Sequence, residues 1–216
     1  MPRKKTPKGT AEIYQLHTSL RDIEPAIWRR VMVSSHADLE ELHTVIQGLF
    51  DWEDCHLHCF ETQIGQFTSS MFDEFLAENP EMHSSSDVLL QEVLPRVNSK
   101  IVYEYDFGDG WEHVIKLEKK LSPEPGAKYP VVIAGARHAP LEDCGGPFGY
   151  MDLAEIMKNG PKDEDERGML EWSGEFDPEE FDLARCNKRL AGYCKPRVLE
   201  RLPPKKKSPG KPKKEE

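Results

Sequence analysis

KIVYEYDFGDGWEHVIKLEKKL, residues 100–121, is the stretch whose reading decides the fold. Its first part alternates Ile101, Tyr103 and Tyr105 with Val102 and Glu104. Its last part sets Trp111, His113, Ile115 and Leu117 against Glu112, Val114, Lys116 and Glu118. A period of two sends successive side chains to opposite faces of a strand, so both segments predict half-buried strands with one apolar face. Gly108-Asp109-Gly110 between them is turn chemistry: glycine accepts positive φ, and the carboxylates of Asp106 and Asp109 can satisfy backbone donors. The stretch therefore reads as an antiparallel hairpin.

Working upstream, residues 11–20 (AEIYQLHTSL) alternate Ile13, Gln15 and His17 with Tyr14, Leu16 and Thr18, a first strand. Asp22-Ile23-Glu24-Pro25 turns the chain, and Ile27–Val33 returns as a second. Ser34, Ser35 and Asp38 precede Leu39, Leu42, Val45, Ile46 and Leu49, whose spacing predicts an amphipathic helix ending near Gly48 and packed on that hairpin. His56–Thr62 predicts another strand, followed by loop with short elements through Met82, and Ser86 is placed as the cap of a short helix over Asp87–Leu94. Downstream, residues 122–149 are rich in proline and glycine and read as a long loop ending in Cys144-Gly145-Gly146-Pro147. Helices follow near Tyr150–Met157, Asp163–Trp172 and Pro178–Leu190, the last with Asp177 as its expected cap. Strands first and helices last predict an α+β fold: a mainly antiparallel sheet packed against helices, with a helical C-terminal part. Trp28, Trp52, Trp111 and Trp172 are expected in the core.

The charge is split along the chain. Residues 1–9 carry four basic residues and no acid, and residues 195–216 carry nine basic residues against three acids. With the whole chain at −10, residues 10–194 are left at twenty negative charges net. Such a body repels a phosphate backbone at long range. Residues 1–10 and the Lys/Pro-rich residues 195–216 are expected to be disordered basic tails around a single domain at 11–194, and only the tails could touch nucleic acid weakly. No run approaches the length of a membrane span, and no apolar signal core follows the basic start. Five cysteines in no regular framework suit reduced thiols and a cytoplasmic location.

Four blocks stand out together: Ile27-Trp28-Arg29-Arg30-Val31; Trp52 with His56-Leu57-His58-Cys59-Phe60; Tyr103 through His113; and Glu142-Asp143-Cys144-Gly145-Gly146-Pro147-Phe148-Gly149-Tyr150. With Phe176-Asp177-Pro178-Glu179 and Phe181-Asp182, their order over residues 11–192 resembles the Ri-plasmid ORF-three-like family. The resemblance implies an α+β fold and an association with plasmids and mobile elements. Some of that family's members carry resolvase labels, but here no serine or tyrosine nucleophile sits beside an arginine cluster suited to a scissile phosphate.

Two candidate sites emerge. His56 and His58, two apart on a predicted strand, would leave one face together and could hold zinc, iron or manganese with His113 and Asp106 or Asp109. The same rings also read as hydrogen-bonding groups within the sheet or loop. The second candidate is a binding surface of Asp106, Asp109, Trp111, Glu142 and Asp143, made where the long loop meets the hairpin turn; turn chemistry alone also accounts for its aspartates. Cys55, Cys59 and Cys144 lack a Cys-x-x-Cys spacing and read as packed thiols. The function expected is a non-enzymatic binding or interaction module with a protein partner. Its rivals are a metal-dependent hydrolase-like enzyme using the His-x-His pair and an accessory DNA-binding protein of mobile elements.

Overall fold

A computed structural model describes residues 10–69, 73–174, 176–194 and 196–199. β1 (Ile13–Leu20) and β2 (Trp28–Ser34) form the expected hairpin. α1 (Leu39–Phe50) follows, with Asp38 and Glu41 closing a capping box at its start. β3 (His58–Thr62), β4 (Gly65–Thr68), α2 (Asp73–Glu78), β5 (Met82–Ser84) and the short α3 (Leu90–Val93) lead to the decisive hairpin of β6 (Lys100–Tyr105) and β7 (Trp111–Leu121). After β8 (Lys128–Tyr129) and β9 (Val131–Ala136) come α4 (Gly146–Asn159), α5 (Glu164–Ser173), α6 (Leu183–Tyr193) and the two-residue β10 (Arg197–Val198).

Eight strands make one sheet in the order β5-β4-β3-β6-β7-β1-β2-β9, antiparallel at every pair except β4 with β5. The fold is α+β, as the order of elements predicts. The period-two reading sets its two faces. Tyr105 opposes Trp111, Tyr103 opposes His113 and Ile101 opposes Ile115, all on the buried face. There they join Tyr14, Leu16, Val31, Val33 and Phe60 beneath the apolar stripe of α1. The opposite face carries a polar ladder in which Arg30 grips Glu118 through two hydrogen bonds of 2.6 and 2.9 Å, and Trp28 stacks on His17. One packed face and one wet face are what antiparallel sheets allow.

Several boundaries differ from the sequence reading. Gly48 does not end α1; Asp51 does, at φ 62°. Gly48 instead sits where α6 crosses, and a Cβ there would lie 3.1 Å from the Leu190 backbone. Residues 85–87 form a 3₁₀ turn capped by Ser84 rather than Ser86. α6 starts at Leu183 under Asp182, whose carboxylate accepts from the Ala184 and Arg185 amides; Asp177 only closes a preceding turn. The long loop contains β9, an edge strand over Val131–Ala136 that lies among the prolines and glycines of residues 122–149 and lacks an alternating pattern. The Asn187 side chain covers that edge by donating to the Val132 carbonyl and accepting from its amide. Trp172 is exposed and Trp28 half-buried, so only Trp52 and Trp111 belong to the core. Arg197–Val198, inside the stretch expected as a tail, pair with β8. Residues 1–9, 195 and 200–216 of the predicted tails lie outside the described residues.

Candidate functional site

At one end of the sheet, the loop into β3, the β6–β7 turn and the loop before α4 converge. Backbone geometry shapes all three. Asp106 sits at φ 55°, its Oδ1 accepts from the Gly108 amide at 2.9 Å, and its carbonyl accepts from the Gly110 amide. Short polar side chains tolerate this left-handed region, and Gly110 shares it. Against that turn lies the Cys144–Gly149 corner. A Cβ on Gly146 would meet the Asp109 carbonyl oxygen at 2.3 Å, and one on Gly149 would meet the Cys144 carbonyl oxygen at 1.9 Å. The glycines are there because backbone packs on backbone.

Beneath the loops is an aromatic floor. Trp52 stacks on Tyr105 with centroids 4.9 Å apart, and its indole N–H donates to the Pro140 carbonyl at 3.0 Å. Glu142 acts as a latch across the loops. It accepts from the Tyr105 hydroxyl at 2.5 Å and the Glu53 amide at 2.9 Å, with the Cys55 thiol 3.6 Å away. Burial, together with the hydrogen bond to Glu142 and its charge, pushes the Tyr105 phenol well up. Burial and Glu142 likewise raise the Cys55 thiol, which is the opposite of an activated nucleophile. Cys144 is raised to about 12 by burial and the Asp109 charge. Cys55, Cys59, Cys144 and Cys186 are free thiols.

On the open side of this latch, His56 Nε2 lies 3.2 Å from Asp143 Oδ1 and 3.8 Å from Asp106 Oδ2. That nitrogen is shut from solvent and makes no well-directed hydrogen bond to either carboxylate. One donor atom each from His56, Asp106 and Asp143 falls within 4.8 Å of the others. Asp109 belongs to the same turn, and its Oδ2 is buried without a hydrogen-bond partner. Phe107, beside Asp106, and Phe148, on the first turn of α4, are both exposed.

The expected metal set is divided by the structure. His56 precedes β3 instead of lying on it, so the shared strand face predicted for His56 and His58 does not exist. His58 is fully buried beneath α1, stacked on His43 with centroids 3.7 Å apart. His113 is equally buried, with Nδ1 3.3 Å from the Trp111 carbonyl, and joins no metal-capable group among the described residues. Burial holds both rings neutral by lowering them to about 3. Of the predicted binding surface, Asp106, Asp109, Glu142 and Asp143 meet at the rim, whereas Trp111 is a core residue. Sequence reasoning passed over Tyr105 as the latch partner and His43 beside His58. Position 43 falls on the apolar stripe of α1, a signal that its ring is buried. A groove of about 670 Å³ between β2, α1 and the end of α6 includes none of these rim residues.

No helix among the described residues is long and apolar enough to cross a membrane. The solved structure of MM3350, a protein of unknown function from Methanosarcina mazei Go1, superposes with a TM-score of 0.72 at 34% identity, covering 83% of this chain and 98% of its own. The uncharacterised protein y4hQ of Sinorhizobium fredii (strain NBRC 101917 / NGR234) is 34% identical over 177 residues, 82% of this chain and 87% of that protein. Residues 12–185 match the sequence pattern of the plasmid pRiA4b ORF-3-like proteins, and the chain belongs to that family.

Proposed function

We propose that this protein is a binding module that holds a divalent cation, zinc, iron or manganese, on His56, Asp106 and Asp143, and takes an anionic, oxygen-bearing ligand at the cation's open positions. The observation that carries the reading is the His56 nitrogen, enclosed between two carboxylates without a formed hydrogen bond to either. One nitrogen and two oxygens suit these ions. Protein donors occupy one side only, since the Asp143 side chain is 67% exposed, and exposed Phe107 and Phe148 offer apolar contact nearby. The acidic body attracts cations and repels polyanions, so a small anion fits better than nucleic acid. Free thiols at Cys55, Cys59, Cys144 and Cys186 suit a cytoplasmic location.

Binding is favoured over turnover because the groups beside the cation are committed. Glu142 is fully engaged as the latch, and Tyr105 and Cys55 are held protonated. Asp109, with its unpartnered oxygen, is the residue a hydrolytic reading would use as base. Metal analysis and calorimetric titration of stripped, reloaded protein test the proposal. His56→Ala and Asp106→Asn each lose one bound cation per chain with an unchanged circular dichroism spectrum. Unaltered metal content in both variants would overturn the site. Ester hydrolysis abolished by Asp109→Asn would move the protein to the hydrolase class.

A further inference from the structure

His43, Asp54 and His58, which flank Cys55 and His56 in the chain, form a second cluster separate from the rim group. His58 has no exposed surface, and neither of its ring nitrogens has a hydrogen-bond partner. A neutral imidazole always carries one N–H and one lone pair, so a fully buried ring with neither used is a rare arrangement in a folded protein. It lies nearly parallel to His43, at 14°. His43 is itself held at both ends: Nδ1 is 2.8 Å from the Tyr103 hydroxyl, and Nε2 is 2.8 Å from Asp54 Oδ1. Gln47 Nε2 donates to the Tyr103 oxygen at 3.1 Å, and Gln47 Oε1 accepts from the Asp54 amide at 3.0 Å. The supports of the His43 ring and of the Asp54 backbone are thus in place before any ion arrives.

We infer that His43, His58 and Asp54 are the protein ligands of a buried divalent transition-metal site, distinct from the rim. One donor atom from each falls within 4.8 Å of the other two. Two imidazoles and a carboxylate are a donor set for zinc or iron(II). A cation there gives the orphaned His58 nitrogen a partner and takes the place of the proton on a neutral His43 Nε2; that proton moves to Nδ1, where the ring donates to the Tyr103 oxygen. The side chain of Asp54 is 54% exposed, which gives an ion a way in. Because Asp54 and His56 share one short loop, an ion on Asp54 would also fix the segment that carries the rim histidine.

The test is a Co(II) and Zn(II) titration of the chelator-stripped full chain, read by cobalt visible absorption, bound metal per chain and thermal midpoint. Four proteins are compared: wild type, His56→Ala, His58→Phe and Asp54→Asn. His58→Phe fills the same space and removes the unpaired nitrogens, so it stays folded; Asp54→Asn changes a half-exposed loop side chain and guards against misfolding as the explanation. Expected are loss of one metal and of its stabilising shift in His58→Phe, a 10–100-fold weaker affinity in Asp54→Asn, and retention of this site in His56→Ala. Identical metal content and identical metal-induced shifts in wild type, His58→Phe and Asp54→Asn would overturn the inference. Failure of the rim proposal would be read separately, from His56→Ala.

Discussion

At the scale of single residues, the consequential feature is polarity buried under α1. His58 and His113 are fully enclosed, and burial holds each near 3 where an unfolded chain would titrate near the ordinary imidazole value of 6.5. A folded-state value below the unfolded one means that the stability contribution is present above about pH 6.5 and is lost as the pH falls toward 3. Each histidine should then cost about 1.4 kcal/mol of stability per pH unit through that window. Urea midpoints of metal-free protein between pH 7 and 4 check this: His113→Phe should flatten the slope by one proton relative to wild type. An unchanged slope would show that the ring already titrates normally. Little of this was legible in the sequence. His58 and His113 could be placed on strands by their alternation, but whether a face is roofed by a helix depends on where α1 lands. His56 shows the converse error, because a strand extended by two residues creates a shared face where the chain is still a loop.

Among the elements, the rim depends on backbone packing between the Cys144–Gly149 corner and the Asp106–Gly110 turn. A methyl group on Gly146 would enter the Asp109 carbonyl, in a residue already at φ 70°. Gly146→Ala should therefore lower stability by about 2–4 kcal/mol and weaken cation binding at His56, Asp106 and Asp143. Gly168→Ala is the control: it lies in α5 with open space around it and should raise stability by about 0.5–1 kcal/mol. Chemical denaturation of the two variants tests the contrast, and equal effects would mean that the corner does not hold the turn. Most elements were visible beforehand. β1, β2, β6 and β7 follow from period two, and α1 from its spacing and the Asp38 signal. β9 escaped because its apolar run, Val131-Val132-Ile133-Ala134, does not alternate and sits in a stretch rich in proline and glycine, and α6 began late because Asp177 and Asp182 both offer cap chemistry and only packing selects between them.

For the whole molecule, the uneven charge has a thermodynamic consequence. Like charges on the acidic body repel in the compact state and are relieved by screening or by added positive charge. The thermal midpoint should rise between about 20 and 300 mM NaCl, where the Debye length shrinks, and a chain ending at Leu199, four positive charges poorer, should rise more steeply. A midpoint that is flat or falls with salt in both would show that the charges are already neutralised locally, as Arg30 and Glu118 neutralise each other. The sequence by itself determined the α+β class, the two faces of the central strands, the turn at Asp106–Gly110, the acidic body and the family, because each is written in local periods, composition or contiguous motifs. Only the tertiary structure decided which residues meet. Cys55 and Glu142 are 87 positions apart, and Tyr105 and Glu142 are 37 apart. Their meeting, the separation of His56 from His58 and the pairing of His43 with His58 follow from strand order and from the seat of α1. Those arrangements are set by long-range packing, to which no local period corresponds.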